Sequence, residues 1–197
     1  VDNSPKMLAF LQEKLQRSGF RADVRCMDVC ELDLGKTFDL ILIPFHSFAH
    51  IVSVDDQRRV LDRIRQHLTP GGRFICTLGN PAIRRQAVDG VLRLVTKNAL
   101  PGGKGTLLLL ILEEFDPVDD HIVQAMEFFE EYDFEGKLLS KRLMELRFRL
   151  SSKDEFEELA RLAGFQVQAL YGDYARAPFD ESSSPYMIWL LSKDSDR

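Results

Sequence analysis

The chain has 197 residues, of which 45% are hydrophobic and 29% are charged, and its formal net charge is -5. At about 150 residues per domain, this length predicts one domain with room for an insertion. The composition is that of an ordinary globular protein, which excludes disordered, collagen-like and low-complexity chains. The acidic balance does not favour a nucleic acid, with its phosphate backbone, as the main partner.

The sequence predicts neither a membrane span nor a signal peptide. The longest apolar run, Leu107 to Leu112, is far shorter than the ~20 residues that a membrane span needs. The first residues have neither the basic nor the apolar segment of a signal peptide, so we expect no membrane partner. The number of cysteines is odd and none forms a C-x-x-C pair, which predicts buried reduced thiols and a cytoplasmic protein; the cysteines are Cys26, Cys30 and Cys76.

The first helix follows immediately on a strand-like segment. Residues 1–3 resemble the end of a strand, and Ser4 and Pro5 are typical of a helix start. Gly19 ends this helix. A domain rarely opens on the last residues of a strand, so we expect either that the true N-terminus lies upstream of Val1 or that the first strand is very short.

Strands and helices continue to alternate through the first half of the chain. The segment 38–45 is apolar almost throughout, as a strand buried on both faces should be. Cap and breaker residues predict the other elements, which are strands at 23–27 and 73–78 and helices at 54–68 and from Asn80 to about Val95. This alternation predicts a parallel sheet covered by helices.

The middle of the chain has a different pattern. Residues 101–105 are predicted to form a flexible link. Three strands follow, at 106–115, 121–132 and 138–150, separated by turn signals, which predicts an antiparallel meander. The third strand alternates, with apolar residues such as Met144 on one face and charged residues such as Arg147 on the other.

The last part returns to a helix and strands. Ser152 and Glu155 predict a capping box, Phe156, Leu159 and Leu162 are expected to face inward, and Gly164 ends the helix. Strands are predicted at 165–171 and 186–191.

Several of these segments resemble one family. They are VDNSPKML, the aspartate of CMDV, FDLILIPFHSFAHI, HLTPGGRFI, LGNP and the ending AGFQVQALYGDYARAPFDESSSPYMIWLL. In this order they resemble the class I S-adenosylmethionine-dependent methyltransferases, and more narrowly a small bacterial group with a β-hairpin insertion before the last helix. The resemblance covers nearly the whole chain.

The resemblance implies a fold and a division of the chain. The fold is α/β and Rossmann-like, with a mostly parallel sheet between helices, an antiparallel final strand pair and an inserted antiparallel β-meander. Residues 1–100 and 151–197 would form the core that binds the cofactor. Residues 101–150 would form the meander on the substrate side. The glycine-rich loop of the family would lie upstream of Val1.

The resemblance also implies S-adenosylmethionine as the cofactor and assigns residues to it. Asp2 would bind the ribose hydroxyls and Asp28 the adenine amino group, with the backbone N–H of Val29 on a ring nitrogen. The remaining cofactor-binding assignments are Asn3, Met7, Pro44 and Phe45. Asp2 as a helix cap and Met7 as a core residue stay open as alternatives.

Two histidines, His46 and His50, are four residues apart. On a helix this spacing is typical of a metal site, but the zinc-protease pattern needs Glu where Ser47 stands, and no third ligand is evident. We therefore predict no metal. His50 is the candidate general base, with a packed histidine as the alternative. The other candidates for the substrate pocket are His46, Asn80, Arg147, Tyr171 and Tyr174. The alternatives are a helix cap for Asn80, a solvated sheet face for Arg147 and a structural role for the tyrosines.

The predicted function is methyl transfer from S-adenosylmethionine by in-line displacement. Proximity and orientation alone can lower the barrier by roughly 7–11 kcal/mol, so no catalytic triad is required. Because no Asn/Asp-Pro-Pro-Tyr motif follows the central strand, the acceptor is expected to be a small molecule. Two alternatives stay open, a non-catalytic partner subunit that retains the fold and a nicotinamide-dependent oxidoreductase. The sequence leaves the oligomeric state open.

Overall fold

A computed structural model describes residues 1–193. Its helices and strands follow one another in this order: α1 (Pro5–Ser18), β1 (Phe38–Ile43), α2 (Val54–His67), β2 (Leu68–Gly79), α3 (Pro81–Arg84), β3 (Arg93–Ala99), β4 (Thr106–Phe115), β5 (Ile122–Tyr132), β6 (Leu138–Arg149), α4 (Lys153–Leu162), β7 (Phe165–Tyr171) and β8 (Tyr186–Lys193). No helix within this range is long and apolar enough to cross a membrane.

The first sheet has the strand order β1-β2-β8-β7. β1 and β2 are parallel, whereas β8 is antiparallel to both of its neighbours. The predicted antiparallel strand pair at the end of the chain is confirmed. The predicted strand at 23–27 is wrong, because Cys26 forms only an isolated parallel bridge with Asp2, held by two backbone hydrogen bonds of 3.2 and 3.0 Å.

The main core lies between this sheet and helices α2 and α4. Side chains of β2 and β8 such as Phe74 and Trp189 are fully buried against Ile64 of α2 and Phe156 of α4. Both helices begin as predicted, with Ser53 as the cap of α2 and the capping box of α4 formed. Leu162, expected to face inward, is instead 43% exposed at the end of α4.

Strand β1 is partly buried on one face and exposed on the other. Leu40 and Leu42 are 52% and 54% exposed, so the expectation that both faces are buried is wrong. Both side chains border a large cavity and are not covered by a packed helix. The apolar character of β1 therefore contributes to a cavity wall as well as to the core.

The second sheet contains the predicted meander and one strand more. Its order is β3-β4-β5-β6, and all its pairs are antiparallel. The predicted helix from Asn80 to about Val95 is wrong, because it ends after α3 and a short 3-10 turn, and β3 follows. Asp89 accepts a hydrogen bond from the amide of Val91 and pairs with Arg93, and Gly90 has φ +71°, a conformation that ends a helix.

The glycine-rich segment 101–105 closes the hairpin between β3 and β4. The amide of Leu100 donates to the carbonyl oxygen of Gly105 at 2.9 Å. A Cβ at Gly105 would lie 1.9 Å from the carbonyl oxygen of Tyr132, so only glycine fits there. The segment is thus a tight turn within the second sheet, which begins at β3 and includes residues before position 101.

The three thiols differ in exposure. Cys76 is buried in the core, Cys30 is partly buried and Cys26 is exposed, and none is paired. The expectation of buried thiols is therefore correct for Cys76 and wrong for Cys26. Burial raises the pKa of the Cys76 thiol far above its usual range, since the thiolate would be desolvated.

Candidate active site

Two cavities adjoin beside the carboxyl end of β1. The larger, of about 1230 Å³, extends from Asp2 and Asp28 to the segment after β1. The smaller, of about 350 Å³, lies between the two sheets. His50 and Arg149 border both cavities. His50 and Arg149 therefore stand at the boundary between the two cavities.

Two carboxylates lie at the far end of the larger cavity. Asp2 Oδ1 accepts a hydrogen bond from the amide of Ser4, and Asp28 Oδ1 accepts one from the amide of Cys30, both at 2.8 Å. The Asp28 carboxylate also hydrogen-bonds the side chain of Cys30, and both carboxylates keep further acceptor capacity. Each can therefore accept a hydrogen bond from a hydroxyl or amino group of a ligand.

Only some of the other residues assigned to the cofactor border the larger cavity. Asn3, Val29 and Pro44 border the larger cavity. Phe45 is 78% exposed and borders the smaller one. Met7 is 59% exposed on α1 and borders neither cavity, so it is not a core residue.

The chain turns sharply after β1. Phe45 and His46 have φ values of 55° and 61°, a conformation that non-glycine residues rarely adopt and that costs of order 1–3 kcal/mol each. This turn sends the chain from the strand into a short 3-10 segment, residues 47–50, that carries His50. Both Phe45 and His46 border the smaller cavity as a result.

The ring of His50 is fixed through one nitrogen. Its Nδ1 lies 3.1 Å from the carbonyl oxygen of Arg147. Because a carbonyl oxygen only accepts hydrogen bonds, Nδ1 carries the proton. When the ring is neutral, Nε2 then holds the lone pair that can accept a proton.

His46 is more enclosed. Its Nδ1 is buried without a hydrogen-bond partner among the described residues, and its ring lies 5.5 Å from that of Tyr186, between ring centroids. Burial, assisted by the positive charge of Arg84 and by His50, lowers the pKa of His46. His46 is therefore a neutral wall of the smaller cavity with an unused nitrogen.

The smaller cavity contains charged side chains that the sequence did not single out. Arg84 forms an ion pair with Glu113, which is 7% exposed. Arg149 pairs with Asp119 at 3.0 Å. Glu127 also borders this cavity. Glu127 stands between apolar residues in β5 and Glu113 follows the apolar run of β4, and these positions are the sequence signal that could have identified them.

The remaining predicted pocket residues border neither cavity. Asn80 is buried, and its side chain bonds the amide of Ala82 and two carbonyl oxygens, of Glu181 and Ser184, which is a structural role. The side chain of Arg147 pairs with Asp116 at 3.1 Å. Tyr171 lies in β7. The ring of Tyr174 lies 5.4 Å from that of the cavity residue Tyr186, between ring centroids, and is tilted by 56° to it.

Comparison with known proteins is consistent with this architecture. Residues 1–72 match the family described as "Methyltransferase domain". No curated protein sequence matches the chain.

Solved structures match nearly the whole fold. An S-adenosylmethionine-dependent methyltransferase from Clostridium acetobutylicum is 17% identical over 97% of this chain and 72% of its own, with a TM-score of 0.80. The CcbJ methyltransferase from Streptomyces caelestis is 24% identical over 97% and 77%, with a TM-score of 0.79. The sugar N-methyltransferase KedS8 from Streptoalloteichus is 17% identical over 97% and 68%, with a TM-score of 0.73.

The fold is thus the Rossmann-like fold of the class I methyltransferases, as the sequence predicted. The family match covers residues 1–72, and the similarity to the solved structures extends this fold over nearly the whole chain.

Proposed function

We propose that the protein methylates a small molecule held in the smaller cavity while S-adenosylmethionine occupies the larger one. The observation that carries this proposal is that His50 and Arg149 border both cavities. The smaller cavity, at about 350 Å³, falls in the range of small-molecule sites. KedS8, which shares the fold, is a sugar N-methyltransferase, and an acceptor about the size of a sugar suits this cavity.

The residues of the larger cavity fit the cofactor. The carboxylate oxygens of Asp2 and Asp28 can accept hydrogen bonds from ribose hydroxyls and from the adenine amino group, and the amide of Val29 can donate to a ring nitrogen. Asn3 and Pro44 complete the proposed binding set. When bound, S-adenosylmethionine supplies a methyl group on a positively charged sulfur, already activated for displacement.

His50 is proposed as the general base. With Nδ1 held by the carbonyl oxygen of Arg147 at 3.1 Å, Nε2 is free to take a proton from the acceptor. General-base catalysis of this kind contributes typically about 10²–10⁴-fold to a rate. Arg147, predicted as a pocket residue, would then act through its backbone by orienting His50.

The proposed compartment is the cytoplasm. All three thiols are unpaired, which suits a reducing environment.

Calorimetric titration of the full-length protein with S-adenosylhomocysteine tests the proposed function. We expect saturable binding with one site per chain. No binding by a folded sample would overturn the enzymatic function and favour a non-catalytic partner subunit that retains the fold.

A further inference from the structure

Glu127 is a carboxylate without a partner inside the smaller cavity. It lies in β5, opposite Ile111 of β4 and Met144 of β6, and it shares the cavity wall with His50 and Glu113. It has no hydrogen bond or ion pair within residues 1–193. Unlike the other carboxylates near this cavity, it faces a space that a ligand can fill.

The positive charges around Glu127 are already engaged. Arg84 pairs with Glu113, and Arg149 pairs with Asp119. His46 is kept neutral by its buried position. Of the two charged groups that act on the pKa of Glu127, Glu113 raises it and only His50 lowers it. The negative charge of Glu127 is therefore uncompensated by any full positive charge of the described residues.

An uncompensated, partly buried carboxylate is costly unless a partner is bound. Burial raises the pKa of Glu127, and the nearby Glu113 raises it further. A cation bound in the cavity would oppose both effects. A hydroxyl group would donate one hydrogen bond without compensating the charge.

Building on the proposed function, we propose that Glu127 binds an ammonium group of the acceptor, so that the methylated atom is an amine nitrogen. An ammonium nitrogen has no lone pair, so its proton must leave first. The proton passes from the nitrogen to Nε2 of His50, and Glu127 stabilises the imidazolium that forms. The free lone pair then forms the N–C bond while the C–S bond breaks, and its electrons stay on sulfur. The positive charge of the sulfonium thus ends on the methylated nitrogen.

The test compares two probes of the same shape, cyclohexylamine and cyclohexanol, titrated into the full-length protein saturated with S-adenosylhomocysteine. We expect the wild type to bind the amine at least 10-fold more tightly than the alcohol. Glu127→Gln should lose this preference, and Glu127→Asp should retain part of it.

The matched control is Glu131→Gln, which removes the same charge on the same face of β5, outside the cavity. Glu131 lies four residues after Glu127 in β5 and does not border the cavity. Its Oε1 atom is 3.5 Å from Nη2 of Arg142. This variant should keep the wild-type preference for the amine.

The outcomes separate this inference from the proposed function. If S-adenosylhomocysteine does not bind, the proposed function fails. If it binds and the wild type shows no preference for the amine, or binds neither probe, only the role of Glu127 is overturned. Retention of the preference by Glu127→Gln, with unchanged affinity for S-adenosylhomocysteine as evidence of folding, also overturns it.

Discussion

The Nδ1 atom of His50 lies 3.1 Å from the carbonyl oxygen of Arg147, so the segment that leaves β1 is bonded to the last strand of the second sheet. This contact orients the imidazole at the junction of the two cavities. It also couples the segment after β1 to the sheet that lines the smaller cavity.

The two aspartates of the larger cavity should control cofactor affinity. Asp28→Asn replaces a charged acceptor, and since hydrogen bonds to charged groups contribute about 1.5–3 kcal/mol, the affinity for S-adenosylhomocysteine should fall by about 10-fold or more. Asp2→Asn should act in the same direction. Calorimetry on both variants checks this.

The matched control for these variants is Asp154→Asn, at an exposed position on α4. It should leave the affinity unchanged. An equal loss in Asp154→Asn and Asp28→Asn would contradict the assignment of the carboxylates to the cofactor.

The cysteines provide a chemical test of the same cavity. Cys26 is exposed and should react first with iodoacetamide, whereas Cys76 should react only after unfolding. Cys30 borders the larger cavity, and burial raises its pKa, which slows its alkylation because the thiolate is the reactive form. S-adenosylhomocysteine should slow the alkylation of Cys30 further and leave that of Cys26 unchanged, and peptide mass spectrometry measures both rates. Uniform protection of both would argue against a ligand in this cavity.

Glu127 should reduce stability at neutral pH. Because burial raises its pKa, the folded state holds the proton more tightly than the unfolded chain does. The protonated side chain therefore adds to the free energy of unfolding at low pH, and this stabilisation is lost as the pH rises through the raised pKa. Glu127→Gln cannot ionise, so its free energy of unfolding relative to wild type should increase between pH 4.5 and pH 7.5. Urea unfolding at the two pH values measures this. A difference that does not change with pH would contradict it.

Asn80 should be a structural residue. Its side chain is 1% exposed and bonds one amide and two carbonyl groups. Asn80→Ala leaves these groups without partners and should lower the free energy of unfolding by about 1–3 kcal/mol. Asn98→Ala, at an exposed position of β3, should stay within about 0.5 kcal/mol of wild type. Similar losses in both variants would contradict the role of Asn80.

Local signals predicted much of the fold. Caps, breakers and alternation marked α2, α4 and the three long strands of the second sheet, because these features depend on neighbouring residues. β3 could not be found in this way, since Leu94 and Val95 fit a helical stripe and only pairing with β4 makes them a strand. The exposure of Leu40 and Leu42 likewise depends on which elements lie nearby.

The candidate site was predicted unevenly for the same reason. Asp2 and Asp28 follow short segments with the pattern of a strand, and His50 lies in the segment after β1, and such patterns can be recognised from the chain. Glu113 and Glu127 border the cavity from within β4 and β5, because β6 of the same sheet packs against the segment 47–50 that follows β1. Asn80 was misplaced because a cap residue at a strand end resembles a pocket residue until its partners are known.

The crystal structure of the full-length protein with S-adenosylhomocysteine would test most directly the claim that the two cavities meet at His50. We expect the ribose hydroxyls on Asp2, the adenine beside Asp28, and the sulfur atom facing His50 and the smaller cavity. A complex in which the sulfur points away from His50, with no open path to the smaller cavity, would contradict the account.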